Sequence, residues 1–337
     1  MQKMFDIYNP YSNTDVTTTY IEVIIKALAN IGFATRNIDK IERNNKGNIV
    51  VISVIDSIKA KMCGYRTIIL WLQGIIPEES FQRNHSNFRK KVLSMIEKEG
   101  IKCASFKLYV SDYMRRFYND KYGFHDSNYY IMPCFNEEIN PLAIKNKSYK
   151  KNTFVYAGST ETWQCFEETL EYYKMIEDIV DDASLKIMVK NKEYAESLVK
   201  KYNIRNYSII YVTKDLVAKE LSSCKFGFCL RQNNEVNNVA TPTKLSSYIS
   251  NGVFPIYSSC IYDFDQIAAS SKFCYRVEKS HNRFRLNKKI IEAAFTEYRA
   301  IDVLNDYEST FGKYYSFSNH VKKLSEKLPY YIKTDIK

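Results

Sequence analysis

The feature that most constrains this chain is a rhythm of short apolar runs alternating with segments whose apolar residues recur every three or four positions, and the rhythm plays twice. In the first half, strand-length runs at 5–8, 49–55, 68–72, 107–110 and 129–132 alternate with predicted helices at 20–31, 88–99 and 113–122. Ile21, Ile24, Ile25, Leu28 and Ile31 form one apolar stripe, and Gly32 suits the end of that helix. From 133 to 152 the sequence turns polar and irregular, which marks a boundary. The rhythm then restarts, with strands predicted at 153–157, 185–189, 207–212, 226–230 and 253–257 and helices at 164–180, 193–202, 216–223 and 243–250. Such alternation predicts an α/β chain of two mostly parallel, helix-covered sheets, split here as 1–140 and 141–316. Ligands of such sheets bind beyond the carboxyl ends of the strands, so the loops there are where chemistry is sought.

Composition narrows the function classes. With 45% apolar and 26% charged residues, 10 Gly and 7 Pro, the chain is globular and carries no repeat of fixed period. The net charge of +11 suggests an acidic partner: a nucleotide, a nucleic acid or an anionic membrane surface. A solvated basic surface explains the same excess. The aromatics fall mostly in strands and on helix faces, where core packing explains them better than base stacking, so a nucleic-acid binder is disfavoured. The 8 cysteines form no C-x-x-C pair and no cluster with histidine, so neither a metal site nor a disulfide scaffold is expected, and a reducing cytoplasm fits. No signal peptide is recognisable, and no apolar run approaches the roughly 20 residues of a spanning helix.

The segment from Arg231 to Leu245 joins a buried strand to a helix. Thr241 reads as the N-cap, Pro242 as the first helical residue, and Thr243 and Lys244 as the rest of the first turn. A helix start offers free N–H groups and partial positive charge to a phosphate, and a lysine there opposes the dipole unless an anion is shared. Arg231, leaving the strand, can add a forked contact. The alternative is an ordinary Thr-Pro cap with a solvent-facing lysine. A second candidate loop follows the strand at 153–157, where Gly158 allows close backbone approach and Ser159 offers a hydroxyl.

Val155-Tyr156-Ala157-Gly158-Ser159 with Trp163-Gln164, and Pro242-Thr243-Lys244-Leu245 with Tyr248, Gly252 and Pro255-Ile256, resemble the donor domain of GT-B-fold glycosyltransferases, nearest to bacterial surface-polysaccharide enzymes related to glycosyltransferase family four. Trp71 to Ser80 and Val110 to Met114 are similar to the first half of such enzymes. The resemblance implies two Rossmann-like domains facing across a cleft and a nucleotide-sugar donor between them. It also implies no bound metal or other cofactor, and a last helix within 317–337 that packs back on the first domain. It puts Thr213 near the base and Glu235 near the sugar hydroxyls. Two departures stand out: Ser247 occupies the place where many members carry a ribose-binding glutamate, and the segment 9–14 replaces a glycine-rich loop.

Glycosyl transfer needs charge stabilisation on the departing diphosphate, for which Arg231, Thr243 and Lys244 suit. An inverting reaction also needs a base, with Glu78, Glu79 and His85 as candidates, whereas a retaining one needs none. The same Pro-Glu-Glu is equally an ordinary helix start, and Asp263-Phe264-Asp265 is read likewise, not as a metal site. The expectation is a glycosyltransferase that moves a hexosyl-type sugar from a nucleotide-sugar donor to a saccharide or lipid-linked saccharide acceptor in cell-surface polysaccharide synthesis, in the cytoplasm and in peripheral contact with an anionic membrane. A sugar-nucleotide epimerase of similar two-domain shape is the alternative enzyme.

Overall fold

A computed structural model describes residues 4–10, 15–280 and 283–332. The chain divides into two compact units, one of residues 1–134, 238–241 and 316–337, the other of residues 135–237 and 242–315.

The first unit is built on six parallel strands: β1 Met4–Tyr8, β2 Ala34–Ile38, β3 Asn48–Val51, β4 Thr67–Leu72, β5 Phe106–Tyr109 and β6 Tyr129–Ile131. They lie in the order β2-β1-β3-β4-β5-β6. Residues of β4 and β5 are buried throughout, as expected for strands covered on both faces. Three elements go beyond the apolar periods read from the sequence. β2, Ala-Thr-Arg-Asn-Ile, is a half-exposed edge strand that needs no apolar run. The expected strand at 49–55 stops at Val51, because the Ser53 hydroxyl accepts from Ile55 N (3.2 Å) and starts the helix Val54–Met62. The stretch after β4 is a full helix, Ile76–Asn84. The last helix, Phe317–Lys327, belongs to this first unit. It packs along the helix Asp15–Asn30, with Lys26 Nζ 4.7 Å from the Phe317 ring, and His320 Nδ1 lies 2.8 Å from the Tyr130 hydroxyl.

The second unit has β7 Thr153–Ala157, β8 Ser184–Met188, β9 Tyr207–Ile210, β10 Phe226–Cys229, β11 Phe254–Ser258 and β12 Tyr275–Val277, all parallel, in the order β12-β11-β10-β7-β8-β9. Each successive connection runs outward from β7 on one side and from β10 on the other, so the sheet reverses direction between these two strands, where such sheets bind ligands. The two strands pair at Phe226 with Phe154 and Gly227 with Val155, and the pairing runs no further. Beyond it, the hydroxyl of Tyr248, from the helix Thr243–Ser250, accepts from Ala157 N (3.3 Å) and donates to Phe228 O (3.2 Å). One phenol thereby satisfies backbone groups that the diverging strands leave apart.

The Tyr248 ring lies directly over Gly227, where an added Cβ would sit 2.7 Å from a ring carbon. Gly227→Ala is expected to destabilise the protein by about 1–3 kcal/mol through overpacking, read as a lowered denaturation midpoint.

Candidate functional site

At the carboxyl ends of β7 and β10 lies a cavity of about 320 Å³, lined among others by Asn136, Gly158, Gln164, Arg231, Lys244 and Tyr248. The helix Thr243–Ser250 opens into it. Pro242, not Thr241, holds the cap position, in extended backbone (φ −63°, ψ 122°), and no side chain caps the first turn. Thr241 is otherwise engaged: its hydroxyl accepts from Cys134 N at 2.9 Å, within the first unit. The expected cap is thus displaced by one residue, and Thr243 and Lys244 begin the helix with their first-turn amides free of any side-chain acceptor.

Arg231 leaves β10 almost fully buried. Its guanidinium donates from Nη1 to Trp163 O (3.0 Å) and to Gln164 Oε1 (2.7 Å), which fixes it without neutralising it. Lys244 Nζ is buried with no hydrogen-bond partner among the described residues and lies 4.6 Å from the centre of the Tyr156 ring. Burial, and then the neighbouring Arg231 charge, pull the amine down to about 7. The other buried amines are satisfied. Lys107 pairs with Asp126 at 2.9 Å. Lys147 donates to Leu221 O (2.8 Å) and Asn251 O (2.9 Å), and Lys225 donates to Ala294 O (3.3 Å) and Thr296 O (3.1 Å), carbonyls at helix ends that suit a cation. Lys244 is the exception, an unpartnered amine in the first turn of its helix beside an arginine, so the amine, the guanidinium and the free helix start converge on one cavity.

Gly158 (φ +148°) completes the wall. A Cβ there would lie 3.0 Å from Lys244 Nζ, so glycine leaves the amine room and adopts a backbone that other residues rarely take. Asn136 and Gln164 line the same cavity; Gln164 was singled out only through the resemblance, and Asn136 carried no signal. Asn136 comes from the segment after β6, which packs with the second unit. Its Oδ1 accepts from Ser246 Oγ (2.7 Å) and Ser247 Oγ (3.2 Å). The next residue, Glu137, accepts from Ser247 Oγ (3.3 Å) and Asn251 Nδ2 (2.9 Å). A carboxylate therefore stands against Ser247, although it is remote in sequence.

The structure thus brings Gly158, Arg231, Thr243 and Lys244 together and leaves four other candidates off the cavity wall. Ser159 is exposed and uses its carbonyl to accept the Tyr156 hydroxyl (2.6 Å). Thr213 is an exposed cap of the helix Lys214–Leu221, whose Val217 and Leu221 do reach the cavity. Glu235 is exposed at the start of the short helix Glu235–Asn238, and Thr241 is occupied as described.

The three candidate bases lie on or beside the helix Ile76–Asn84 of the first unit. Glu78 is buried and paired with Lys121 at 3.0 Å and Lys90 at 3.5 Å. Lys121 in turn pairs with buried Glu97 at 3.1 Å. Glu79 sits in the first turn, its carboxyl raised by burial against the opposing effects of Arg83 and the Ile75 N–H. His85 is the exposed C-terminal cap in left-handed backbone (φ 51°). These settings make Glu78 an ion-pair partner and His85 a helix end. Asp265 likewise serves the fold, accepting from Tyr257 OH (3.0 Å) and pairing with Arg276 at 3.5 Å. Glu78→Gln is expected to lower stability by about 1–3 kcal/mol, because Lys90 and Lys121 lose a buried counter-charge, while ligand affinity at the cavity stays unchanged in direct binding measurements.

No protein-family model matches the sequence, and no curated protein does. Solved structures do. A glycosyltransferase from Rickettsia africae shares 11% identity at a TM-score of 0.67, over 97% of this chain and 99% of that one. HepE from Anabaena, solved with UDP and glucose, shares 7% identity at 0.66, over 98% and 100% of the two chains. A chain of the GtfA/B complex shares 9% identity at 0.57; the match covers 85% of this chain and only 58% of that one. Similarity at this level of identity establishes architecture, and with its two parallel six-stranded units the chain has the GT-B fold.

Proposed function

We propose that the chain is a glycosyltransferase that binds the diphosphate of a nucleotide-sugar donor in the cavity between the ends of β7 and β10. The observation that carries this is the buried, unpartnered Lys244 amine beside Arg231 and an uncapped helix start. Removing an amine from water without a partner costs stability, and a diphosphate supplies the missing acceptors and charge. The bound UDP named for HepE fits the same chemistry.

In this reading Arg231 and Lys244 neutralise the charge that grows on the diphosphate as the glycosidic bond breaks, and first-turn amides of the Thr243–Ser250 helix share it. This assigns stabilisation of the leaving group to the chain's own cations, so activity that survives chelation of divalent metals is expected. Glu137, held by Ser247 and Asn251, takes the role of a ribose acceptor at the place where the resemblance leads one to look for a glutamate. The acceptor is a saccharide, free or lipid-linked, in the synthesis of cell-surface polysaccharide. No helix among the described residues is long and apolar enough to cross a membrane, so a lipid-linked acceptor would be reached by peripheral contact through the basic surface.

Arg231→Ala and Lys244→Ala are each expected to weaken binding of a nucleoside diphosphate by at least about tenfold with the fold intact, as each removes a charged contact. Calorimetry against a panel of nucleoside diphosphates checks this, and unchanged affinity in both variants contradicts the site. Glu137→Ala is expected to weaken nucleoside diphosphates several-fold while leaving inorganic pyrophosphate unaffected, which separates the ribose contact from the phosphate contact. A release assay for free nucleotide, run with and without a saccharide acceptor, distinguishes the transferase from an epimerase.

A further inference from the structure

Lys244 raises a question that its place in a diphosphate site does not answer: in what form does its amine wait for the ligand? The groups that face it come from every element around it. β10 contributes Cys229 and, just beyond its end, Arg231; β7 contributes Tyr156; Cys165 precedes the helix Phe166–Glu177 and Gln164 lies in the turn before it; Tyr248 stands one turn further along Lys244's own helix. None of these is a carboxylate. Glu168, which acts on Tyr156 and Cys165, accepts a hydrogen bond from Gln232 Nε2 at 2.8 Å. Among the described residues, the charged side chain acting on the amine is therefore a guanidinium, which repels an ammonium.

We propose that Lys244 meets its ligand as a neutral amine and becomes an ammonium as the diphosphate binds, so that nucleotide binding by this chain is coupled to the uptake of one proton from solvent. The inference rests on the reading of the cavity as a diphosphate site and adds how that site is charged. In the absence of an anion, an ammonium at this position would lack hydrogen-bond acceptors, sit beside Arg231 and be shielded from water. The π-face of Tyr156 favours the charged form, and Cys229 and Cys165, smaller in effect than Arg231, act in the same direction. A diphosphate reverses the balance, since its oxygens accept from the amine and its charge outweighs that of the arginine. The proton comes from water or buffer and resides on Nζ; no bond is made or broken. Tyr156, Tyr248 and Cys165 do not compete near neutral pH, because burial pushes both phenols well above their usual range and the thiol up to about 12.

The amine lies at about 7 without a ligand. Below that pH it already carries its proton and no uptake is expected; above it the coupling is nearly complete until the pKa of the complex is reached. At pH 8 the second ionisation of a nucleoside diphosphate, near 6, is finished, so the ligand contributes little to the proton count.

The test is calorimetric titration of the full chain with UDP, GDP, ADP, CDP and dTDP at pH 8, in buffers of low and high ionisation enthalpy. Parallel titrations at pH 7.5 and 8.5, and the same set on Lys244→Met, complete it. The expected result is uptake of about 0.9 proton per ligand and an affinity about eightfold weaker at the higher pH, with both effects gone in the methionine variant. That variant loses an unpartnered amine from a buried position and keeps its volume, so it should fold; the wild-type measurements decide the matter even if it does not. Binding with little buffer dependence and no pH slope overturns the proton coupling and leaves the diphosphate site standing. Uptake that persists in the methionine variant assigns the proton to another group, such as Lys147, and overturns the role of Lys244. Failure of every diphosphate to bind removes the site and this inference together.

Discussion

A single phenol holds the second unit's site in place. β7 and β10 pair at two positions and then part, and without the Tyr248 hydroxyl between Ala157 N and Phe228 O each strand would end in unsatisfied backbone. The bridge requires the Tyr248 ring to lie on the sheet, which Gly227 permits, and it fixes the Thr243–Ser250 helix so that its first turn opens over the parting strands. Arg231 and Gly158 occupy the first turns past those strands for the same reason. The positions of Gly158, Arg231 and the first turn of the Thr243–Ser250 helix follow from a sheet that splits where its strand order reverses.

Much of this was legible in the sequence. The sequence marks β7 and the Thr243–Ser250 helix to the residue, and the strands and longer helices between them to within a few residues, because each combines a clean apolar period with a polar break; the short helix Glu235–Asn238 reads only as a polar loop. What escaped notice lacks that signature. The edge strand Ala34–Ile38 is half polar, and Tyr275–Val277 is too short to establish a period. At the site, Arg231, Thr243, Lys244 and Gly158 could be found because they sit next to recognisable boundaries. Glu137 could not, since only the fold brings a residue from the polar connection against Ser247 and Asn251. The 9–14 segment noted in place of a glycine-rich loop falls largely outside the described residues, at 11–14.

The candidate bases teach the complementary lesson. Pro-Glu-Glu after a strand is compatible with both catalysis and helix initiation, and composition cannot separate the two. The structure gives Glu78 two lysine partners, and behind them Glu97 accepts from Tyr118 (3.2 Å) and Tyr122 (2.6 Å). A carboxylate surrounded in this way is a part of the packing of its unit, and its neighbours were visible only as scattered letters.

The uncompensated lysine also bears on how firmly the free chain holds together. An exposed lysine in the unfolded chain keeps its proton up to about 10.5, whereas the folded one releases it near 7. Across that window the unfolded form binds more protons, so folding strengthens as the solution is made more alkaline; under acidic conditions the full cost of sheltering a lone ammonium returns. A diphosphate would cancel that cost and flatten the profile. In this respect the chain resembles a salt crystallised without one of its anions, with cohesion that is complete only once the missing partner is supplied.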